Sequence, residues 1–464
     1  MNQQTNERMD DFIIYIPLII CVKQNDNCFC QDYANSVCLH RYLFLLVLFV
    51  TGNVFKFIGG ICFVFNIFCT TVAYAQTENL NKNETLPTPD LPDLPHANHN
   101  NEPKLANIDR NYFYFNQPYG SESQFGPLNV WVNVGLVVPG RLGTQPQLDE
   151  INYAKGWQQL KSSLKNQRDV LDESGGTNES LKKEFIPFAH PSGAWLPNYF
   201  LHLLGEGMLS RKLEEYYLSQ EGNSPLQAKI KAIITLAAAQ ATNEVVEYEL
   251  PWEQRLDPLA DFYFNLAGII AFSFDEVAQL FSNDYLDYYY WPGQPIIDLQ
   301  DGALFNQGEQ YYFRSKLGFD TQTSLAIISG MPATGLGISY PVTMDDQLSV
   351  LFATDVAVSH PHETVDSLER STDFTASEIA KLYNQSLNIY WDKKGSLMGS
   401  VALSYHPFYQ VSMNLYPQTY PGLSVAGIAL ADLGIGGYLI ASQGGANSIG
   451  LTLSLSPVMF GIRR

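Results

Sequence analysis

Polar side chains recur at helical spacing between residues 197 and 272. Three apolar helices are predicted in this segment, and polar residues three or four positions apart lie on one face of a helix. The residues concerned are His202 and Glu206 on the first helix, Glu244 and Glu247 on the second, and Asp257, Asp261, Asn265 and Gly268 on the third. Buried carboxylates require partners, so we expect the three polar faces to meet. Arg255, located between the second and third helices, is the expected counter-charge.

Such a cluster has three interpretations. A buried network of charged and amide groups can serve only to fix the packing of helices, with Gly268 permitting their close approach. It can instead bind a polar or anionic ligand of the cell envelope, with Arg255 as charge partner and Asp261 and Asn265 orienting the ligand. A carboxylate pair such as Glu247 and Asp261 could also act as acid and base if burial separates their pKa values. The sequence has no G-x-S-x-G and no H-E-x-x-H motif, so no catalytic residue, metal ligand or cofactor is predicted.

Capping signals give the bounds of the three helices. The first helix is predicted over residues 197–220. A capping box formed by Ser224 and Gln227 begins the second helix, and Asp257 begins the third. None of the three offers about 20 consecutive apolar residues, which a transmembrane helix requires. Residues 191–283 are therefore predicted to form a compact helical bundle in the periplasm or against a membrane face.

The polar residues of this bundle resemble the signature of the VanZ-like families of bacterial envelope proteins. That signature is Glu-x-x-Gln on one helix, then an Arg, then Asp-x-x-x-Asn-x-x-Gly on the next helix. The matching residues here are Arg255, Asp261, Asn265 and Gly268, with Glu244-x-x-Glu247 in place of Glu-x-x-Gln. The resemblance covers only about residues 197–272. It implies a location in the cell envelope and a polar cluster between helices, and it implies no reaction.

Short segments in the last third of the chain alternate large apolar residues with small or polar ones. Ile449, Leu451 and Leu453 share one face of a predicted strand, and serine and threonine residues occupy the other. Charged residues, which usually cover the outside of a soluble β-sandwich, are scarce in this region. An apolar outside around a small polar lumen is typical of an outer-membrane barrel. We predict an α+β protein in which an antiparallel barrel of eight to ten strands, over residues 284–464, follows the helical bundle. A soluble sandwich is the alternative.

Two further segments are rich in aromatic or apolar residues. Residues 128–138, within a mixed aromatic and helical segment over residues 109–190, are predicted to form a strand or a membrane-interface segment. The aromatic residues between positions 284 and 292 are typical of the girdle at a membrane interface, although a buried aromatic hinge has the same composition.

The first 108 residues are predicted to lie outside the folded domains. Residues 54–75 have the charged start, apolar stretch and Ala-x-Ala site of a cleaved signal peptide. Residues 1–53 are interpreted as an upstream extension from a wrongly assigned start, with a membrane anchor as the alternative. Residues 76–108 are rich in Pro and Asn and are predicted to be a disordered linker. All six cysteines lie within the first 69 residues, so no disulfide framework is expected beyond them.

Charge and location together define the expected function. A net charge of −20 argues against a nucleic-acid partner. Export through the signal peptide predicts a cell-envelope protein of the outer membrane, with the lipid bilayer as partner and a structural or ligand-binding role. The alternative is an envelope hydrolase that acts on lipid or cell-wall material through a buried carboxylate pair.

Overall fold

The computed structural model describes parts of the chain beyond residue 110. These parts are residues 111–137, 151–187, 189, 194–248, 256–283, 285–300, 302, 304–316, 323–331, 333–356, 383–404, 411–418, 424–425, 428–429, 434–441, 447–453 and 459–463. The predicted extension, signal peptide and linker lie outside the described residues, as does Arg255. All described residues belong to one compact unit, Ile67–Arg464.

Eight α-helices precede the strands in the described residues. They are α1 (Pro127–Gly135), α2 (Tyr153–Lys165), α3 (Gln167–Glu173), α4 (Thr177–Glu184), α5 (Gly207–Ser219), α6 (Pro225–Glu247), α7 (Asp257–Phe272) and α8 (Asp275–Leu280). A 3₁₀-helix, Gly120–Gln124, precedes α1, and a turn of helix, Trp195–Pro197, leads into a π-helix, Asn198–Glu206, which continues directly into α5. We call residues 111–283 the helical region.

Local signals explain most of these helix ends. Ser224 and Gln227 form the predicted capping box at the start of α6. Gly175 and Gly176 separate α3 from α4, and both have positive φ angles, which glycine adopts without steric cost. The prediction of a strand over residues 128–138 is wrong, because most of this segment belongs to helix α1, which begins at Pro127. Proline suits the first turn of a helix, and α1 packs closely against α6, so tertiary packing overrides the β-propensity of its valines.

A large sheet follows the helices. Its strands are β1 (Leu286–Pro292), β2 (Ile296–Asp298), β3 (Leu304–Phe305), β4 (Glu309–Ser315), β5 (Ser324–Gly330), β6 (Ala333–Pro341), β7 (Asp346–Val356), β8 (Tyr383–Lys393), β9 (Ser396–Ser404), β10 (Val411–Gln418), β13 (Ile435–Ala441), β14 (Ser448–Leu453) and β15 (Met459–Arg463). Two short strands, β11 (Ser424–Val425) and β12 (Ile428–Ala429), come between β10 and β13 in the sequence and form a separate pair outside the sheet. Ten of the strands in the sheet have six or more residues, so the α+β class is confirmed.

The strand order is β1-β4-β5-β6-β7-β8-β9-β10-β13-β14-β15-β2-β3. All neighbouring strands are antiparallel except β15 and β2, which are parallel. β1 pairs with β4 and β2 pairs with β3 in a single continuous register. A bond from the Gly293 backbone N–H to the Gly308 carbonyl oxygen, 2.7 Å, continues that register between the two pairs. Residues 286–315 therefore form one interrupted hairpin, which we call the first hairpin.

The two faces of the sheet differ in composition and in exposure. Side chains on one face, which we call the apolar face, are exposed on most strands: Leu325, Leu336, Ile338, Tyr340, Leu348, Phe352, Leu403, Met413, Leu415, Leu439, Ile449 and Leu451. The opposite face, which we call the polar face, buries aromatic and aliphatic side chains such as Trp291 and Leu351. It also buries small, polar and charged side chains: Arg314, Ser339, Ser349, Ser386, Asn388, Asp392, Ser448 and Thr452. Cross-strand pairs such as Leu336 with Phe352 keep the two faces continuous from strand to strand.

Charged and aromatic groups fill the space along the polar face. Arg314 forms an ion pair with Asp392, and its Nε–H donates a hydrogen bond to Ser339 Oγ at 3.0 Å. Trp291 and Tyr312 stack with ring centroids 4.2 Å apart, and Tyr390 packs beside Trp291. Side chains therefore occupy the space along the polar face beside strands β1, β4 and β8.

The helical region covers the apolar face of the first hairpin. Tyr288 stacks on Phe313 at 3.9 Å, and Phe113 and Phe281 pack around the Tyr288 ring. Tyr288, Tyr290 and Trp291 are buried in strand β1, so the aromatic residues predicted as an interface girdle lie instead in the core. Of the helices that the structure describes, none has both the length and the apolar character needed to cross a membrane.

Candidate functional site

The imidazole of His202 lies where the first predicted helix departs from α-helical geometry. Residues 198–206 form a π-helix, which is rare and often occurs at functional sites. His202 and Glu206 both belong to it, and they lie one turn apart. The wider turn places both side chains toward α7, against which the π-helix packs. The sequence carries no signal that distinguishes this turn from an ordinary α-helix.

Both ring nitrogens of His202 contact acceptor groups. Nδ1 lies 3.1 Å from Asn265 Oδ1 and 3.3 Å from Glu206 Oε1. Nε2 lies 3.3 Å from Asp261 Oδ2. Because the ring meets an acceptor on each side, a doubly protonated imidazolium can donate a hydrogen bond at both nitrogens. The arrangement is therefore a carboxylate–imidazolium–carboxylate bridge between the π-helix and α7.

Helix α6 adds two further carboxyl groups. Glu244 lies close enough to Asp261 to lower the pKa of that carboxyl group. Glu247 accepts a hydrogen bond of 2.7 Å from Asn243 Nδ2, and the same Asn243 amide donates to the Val137 carbonyl oxygen at 2.9 Å. Helix α6 therefore brings two more acidic side chains to the side of α7 that carries Asp261.

Asp257 and Gly268 occupy the two ends of the polar face of α7. Asp257 is the first residue of the helix, and its charge interacts with those of Asp261 and His202. A Cβ atom at position 268 would collide with the Leu203 carbonyl oxygen and approach the Gly207 backbone. Gly268 therefore lets α7 and the π-helix approach closely enough for His202 to reach Asp261.

The structure brings seven predicted side chains together in what we call the His202 cluster, with Gly268 at its edge. Its members are His202, Glu206, Glu244, Glu247, Asp257, Asp261 and Asn265. Arg255, the predicted counter-charge, lies outside the described residues, so its predicted pairing stays a prediction.

Two acidic residues that sequence reasoning missed adjoin the cluster. Glu184, at the end of α4, accepts a hydrogen bond of 3.0 Å from Asn198 Nδ2, and its charge interacts with that of Asp261. Glu309, on β4, accepts a hydrogen bond of 2.6 Å from the Tyr311 hydroxyl and interacts with the charge of Glu206. The sequence contains one indication that Glu309 is unusual, because it is the only acidic residue on its face of a predicted strand. Glu184 has no such indication, since it ends a charged helix far from the others in sequence.

Burial and mutual repulsion govern the protonation of the cluster. Burial raises the pKa of Glu247 to about 8, and the nearby Asp261 charge adds to the rise. Burial also raises the pKa of Glu206 and Asp261, while His202 opposes the rise in both. Burial lowers the pKa of His202, but the charges of Asp261 and Glu206 outweigh it and hold that pKa well above its ordinary value. At neutral pH the cluster therefore contains an imidazolium and at least one protonated carboxyl group.

Two carboxylate oxygens of the cluster have no hydrogen-bond partner in the part of the chain that the structure describes. They are Glu206 Oε2 and Asp261 Oδ1, and both side chains belong to residues that are more than nine-tenths buried. A buried acceptor without a donor costs about 1–3 kcal/mol, so these atoms favour a bound group that donates hydrogen bonds. Within the described ranges, no set of three or more acidic, histidine or cysteine side chains is arranged to hold a metal ion.

Comparison with known proteins gives no match: no protein-family model, no curated protein and no solved structure is significantly similar to the chain. The resemblance to VanZ-like families therefore rests only on the motif residues. It stays a prediction.

Proposed function

We propose that the chain is an outer-membrane protein whose sheet forms a barrel with its apolar face in lipid, and whose helical region carries a ligand-binding site. One observation carries the proposal: nearly all of the large exposed side chains of the sheet are apolar, whereas serine, threonine, asparagine and charged side chains are buried on its opposite face, together with aromatic ones. Phe352 is 73% exposed and Leu451 is 70% exposed, while Ser349 and Thr452 on the opposite face are buried. Water would penalise this arrangement, whereas a bilayer favours it.

The strand pairing supports closure of the sheet into a barrel. β1 and β2 are successive parts of one strand of the first hairpin. β2 pairs with β15, the last strand that the structure describes, and β4 of the same hairpin pairs with β5. The first hairpin therefore contacts both the beginning and the end of the remaining sheet, an arrangement that favours the closure that a sheet in lipid requires. In the described residues β1 and β3 remain the terminal strands of the order, so closure of the barrel is part of the proposal.

The filled interior favours a structural or binding role over that of a pore. The Arg314–Asp392 ion pair and the stacked Trp291 and Tyr312 rings occupy the space along the polar face. Small barrels are usually filled by side chains in this way.

The His202 cluster is the proposed ligand site. Glu206 Oε2 and Asp261 Oδ1 offer buried acceptors on either side of the imidazole ring. We predicted a polar or anionic envelope ligand from the sequence. The surplus of carboxyl groups among the described residues favours a polar ligand that donates hydrogen bonds over an anionic one.

An envelope hydrolase is the second candidate function. The raised pKa of Glu247, about 8, means that this carboxyl group retains its proton at neutral pH and could act as a general acid beside Asp261. Hydrolysis of phospholipid or peptidoglycan by the purified protein, abolished by Glu247→Gln, would favour this function. Equal activity of the variant would exclude Glu247 as the acid.

A matched pair of substitutions tests the membrane proposal. Phe352→Arg places a charge on the apolar face, at a cost of about 2–4 kcal/mol if the site lies near the bilayer midplane. Phe352→Leu, the control, keeps the position apolar. We expect that the arginine variant does not fold into phospholipid vesicles, whereas the leucine variant folds normally. Folding is measured by the difference in gel mobility between heated and unheated samples. Equal folding of the two variants would contradict the proposal.

A further inference from the structure

We propose that the helical region also meets lipid: the exposed sides of α6 and α7 lie against acyl chains beside the sheet. This inference rests on the proposed membrane location of the sheet. It adds a second lipid-facing surface that the strand pattern does not imply, and it places α6 and α7 of the bundle, predicted in the periplasm or against a membrane face, among the acyl chains.

Helix α6 exposes an almost entirely apolar side. Ile234 is 62% exposed, and Leu226 and Ile230 precede it on the same side. From residue 233 to the end of the helix, the residues that are exposed are all apolar: Ile233, Ile234, Ala237 and Ala238. Lys231 is exposed one turn earlier and forms an ion pair with Glu221, beyond the start of the helix. A helix in water normally turns charged residues outward, so this side is suited to an apolar environment.

Helix α7 shows the same property over its whole length. Its exposed residues are Phe262, Tyr263, Leu266 and Ile270, and the last of these is 54% exposed. No charged side chain of α7 is exposed, because Asp261 lies in the His202 cluster and Asp257 is half-buried. The spacing of Phe262, Leu266 and Ile270 forms one apolar stripe along the helix.

Helices α2 to α4 provide the contrast within the same region. Their exposed residues include many charges: Lys155, Lys161, Lys165, Arg168, Asp169, Asp172 and Glu173. The helical region therefore has a charged side suited to water and an apolar side formed by α6 and α7. A protein surrounded by water on all sides would have no reason for this division.

The position of the helical region explains why lipid is the expected neighbour. It packs on the apolar face of the first hairpin, where Tyr288, Tyr311 and Phe313 meet helical residues. On the adjoining strands β5 and β6, the same face exposes Leu325 and Leu336. The helices therefore occupy the place that lipid would take along the first hairpin, at the level of the sheet itself. Their exposed apolar residues extend the surface that the sheet presents to the bilayer.

A second copy of the chain is a less suitable neighbour. A twofold interface buries the same patch on both copies, and the patch must complement itself. The exposed apolar surface here includes side chains of strands β5, β6, β7, β9, β10, β13 and β14 as well as two helices, which is far more than one such contact covers. A bilayer covers all of it at once.

Spin labels distinguish lipid, water and protein as the environment of each site. The full chain, with its six native cysteines replaced by serine, would carry one label at Ile234→Cys or Ile270→Cys and be reconstituted into phosphatidylcholine vesicles. Phe352→Cys serves as the sheet reference and Glu173→Cys as the water reference. Collisions with molecular oxygen report lipid, and collisions with a water-soluble nickel chelate report water.

We expect both helix sites to match Phe352→Cys, with frequent oxygen collisions and loss of the nickel collisions seen at Glu173→Cys. Nickel access at both helix sites, with Phe352→Cys in lipid, would overturn the inference and leave the membrane location of the sheet intact. If neither oxygen nor the nickel chelate reaches the labels at the helix sites, other protein covers these sites, and this result would also overturn the inference. Nickel access at Phe352→Cys would refute the proposed function, and the inference with it.

Discussion

Replacing Glu184 by glutamine should change how the stability of the helical region depends on pH. Glu184 is 7% exposed at the end of α4, where Asn198 Nδ2 donates a hydrogen bond to it. Burial raises its pKa from the ordinary 4.5 to about 7, although the Asn198 hydrogen bond opposes the rise. The folded state therefore holds the proton more tightly than the unfolded state. The resulting stabilisation is fully present below about pH 4.5 and is lost as the pH rises through about 7.

The magnitude follows from the size of this shift. A rise from 4.5 to about 7 corresponds to about 3 kcal/mol of folding free energy, at roughly 1.4 kcal/mol per pKa unit. Glutamine cannot ionise, and its side-chain oxygen can still accept the hydrogen bond from Asn198. The Glu184→Gln variant should therefore be more stable than the native protein by up to about 3 kcal/mol near pH 8. The two proteins should be nearly equal near pH 4.

Guanidinium unfolding in detergent, followed by the helical signal in circular dichroism, measures the effect at both pH values. Asp172→Asn is the matched control for the loss of one negative charge, because Asp172 is an exposed carboxylate on the neighbouring helix α3. A Glu184→Gln variant that is less stable than the native protein at high pH would refute the reasoning. It would mean that the ionised carboxylate, rather than the protonated acid, stabilises the fold.

Three further predictions concern the His202 cluster and the sheet interior. The His202 ring should remain protonated at neutral pH in nuclear magnetic resonance titrations, because adjacent carboxylates raise its pKa well above the ordinary value; titration at or below that value would contradict the bridge. Gly268→Ala should lower the free energy of unfolding by about 1–3 kcal/mol, since its Cβ collides with the Leu203 carbonyl; an unchanged unfolding midpoint would contradict this packing. Arg314→Met should cost about 3–5 kcal/mol by leaving Asp392 unpaired, and adding Asp392→Leu should recover much of the loss; equal stability of the two variants would show that the pair is not buried.

The helices were predictable where local chemistry decides their ends. The Ser224–Gln227 capping box depends only on neighbouring residues, and it lies where it was predicted. Helix α1 was not predictable in this way. Its valines favour a strand, and it becomes helical through its packing against α6, which begins 90 residues after α1 ends.

The candidate site was predictable only in part, for the same reason. Helical spacing grouped His202 with Glu206, and Asp261 with Asn265, because these pairs lie on single helices. Glu184 and Glu309 approach the cluster from other elements, and no periodicity links them to it. The alternation of apolar and polar residues predicted which strand faces are exposed. The pairing of the first hairpin with the last strand, β15, depends on contacts between chain segments far apart in sequence.

Fractionation of cells that produce the full chain tests the central claim most directly. Membranes would be separated on a density gradient, washed with alkaline carbonate, and assayed for the protein. The exposed apolar face of the sheet predicts that the protein stays in the outer-membrane fraction after the wash and is released only by detergent. Recovery as a soluble monomer without detergent would contradict the account, because the apolar face formed by residues such as Phe352 and Leu451 would then be exposed to water.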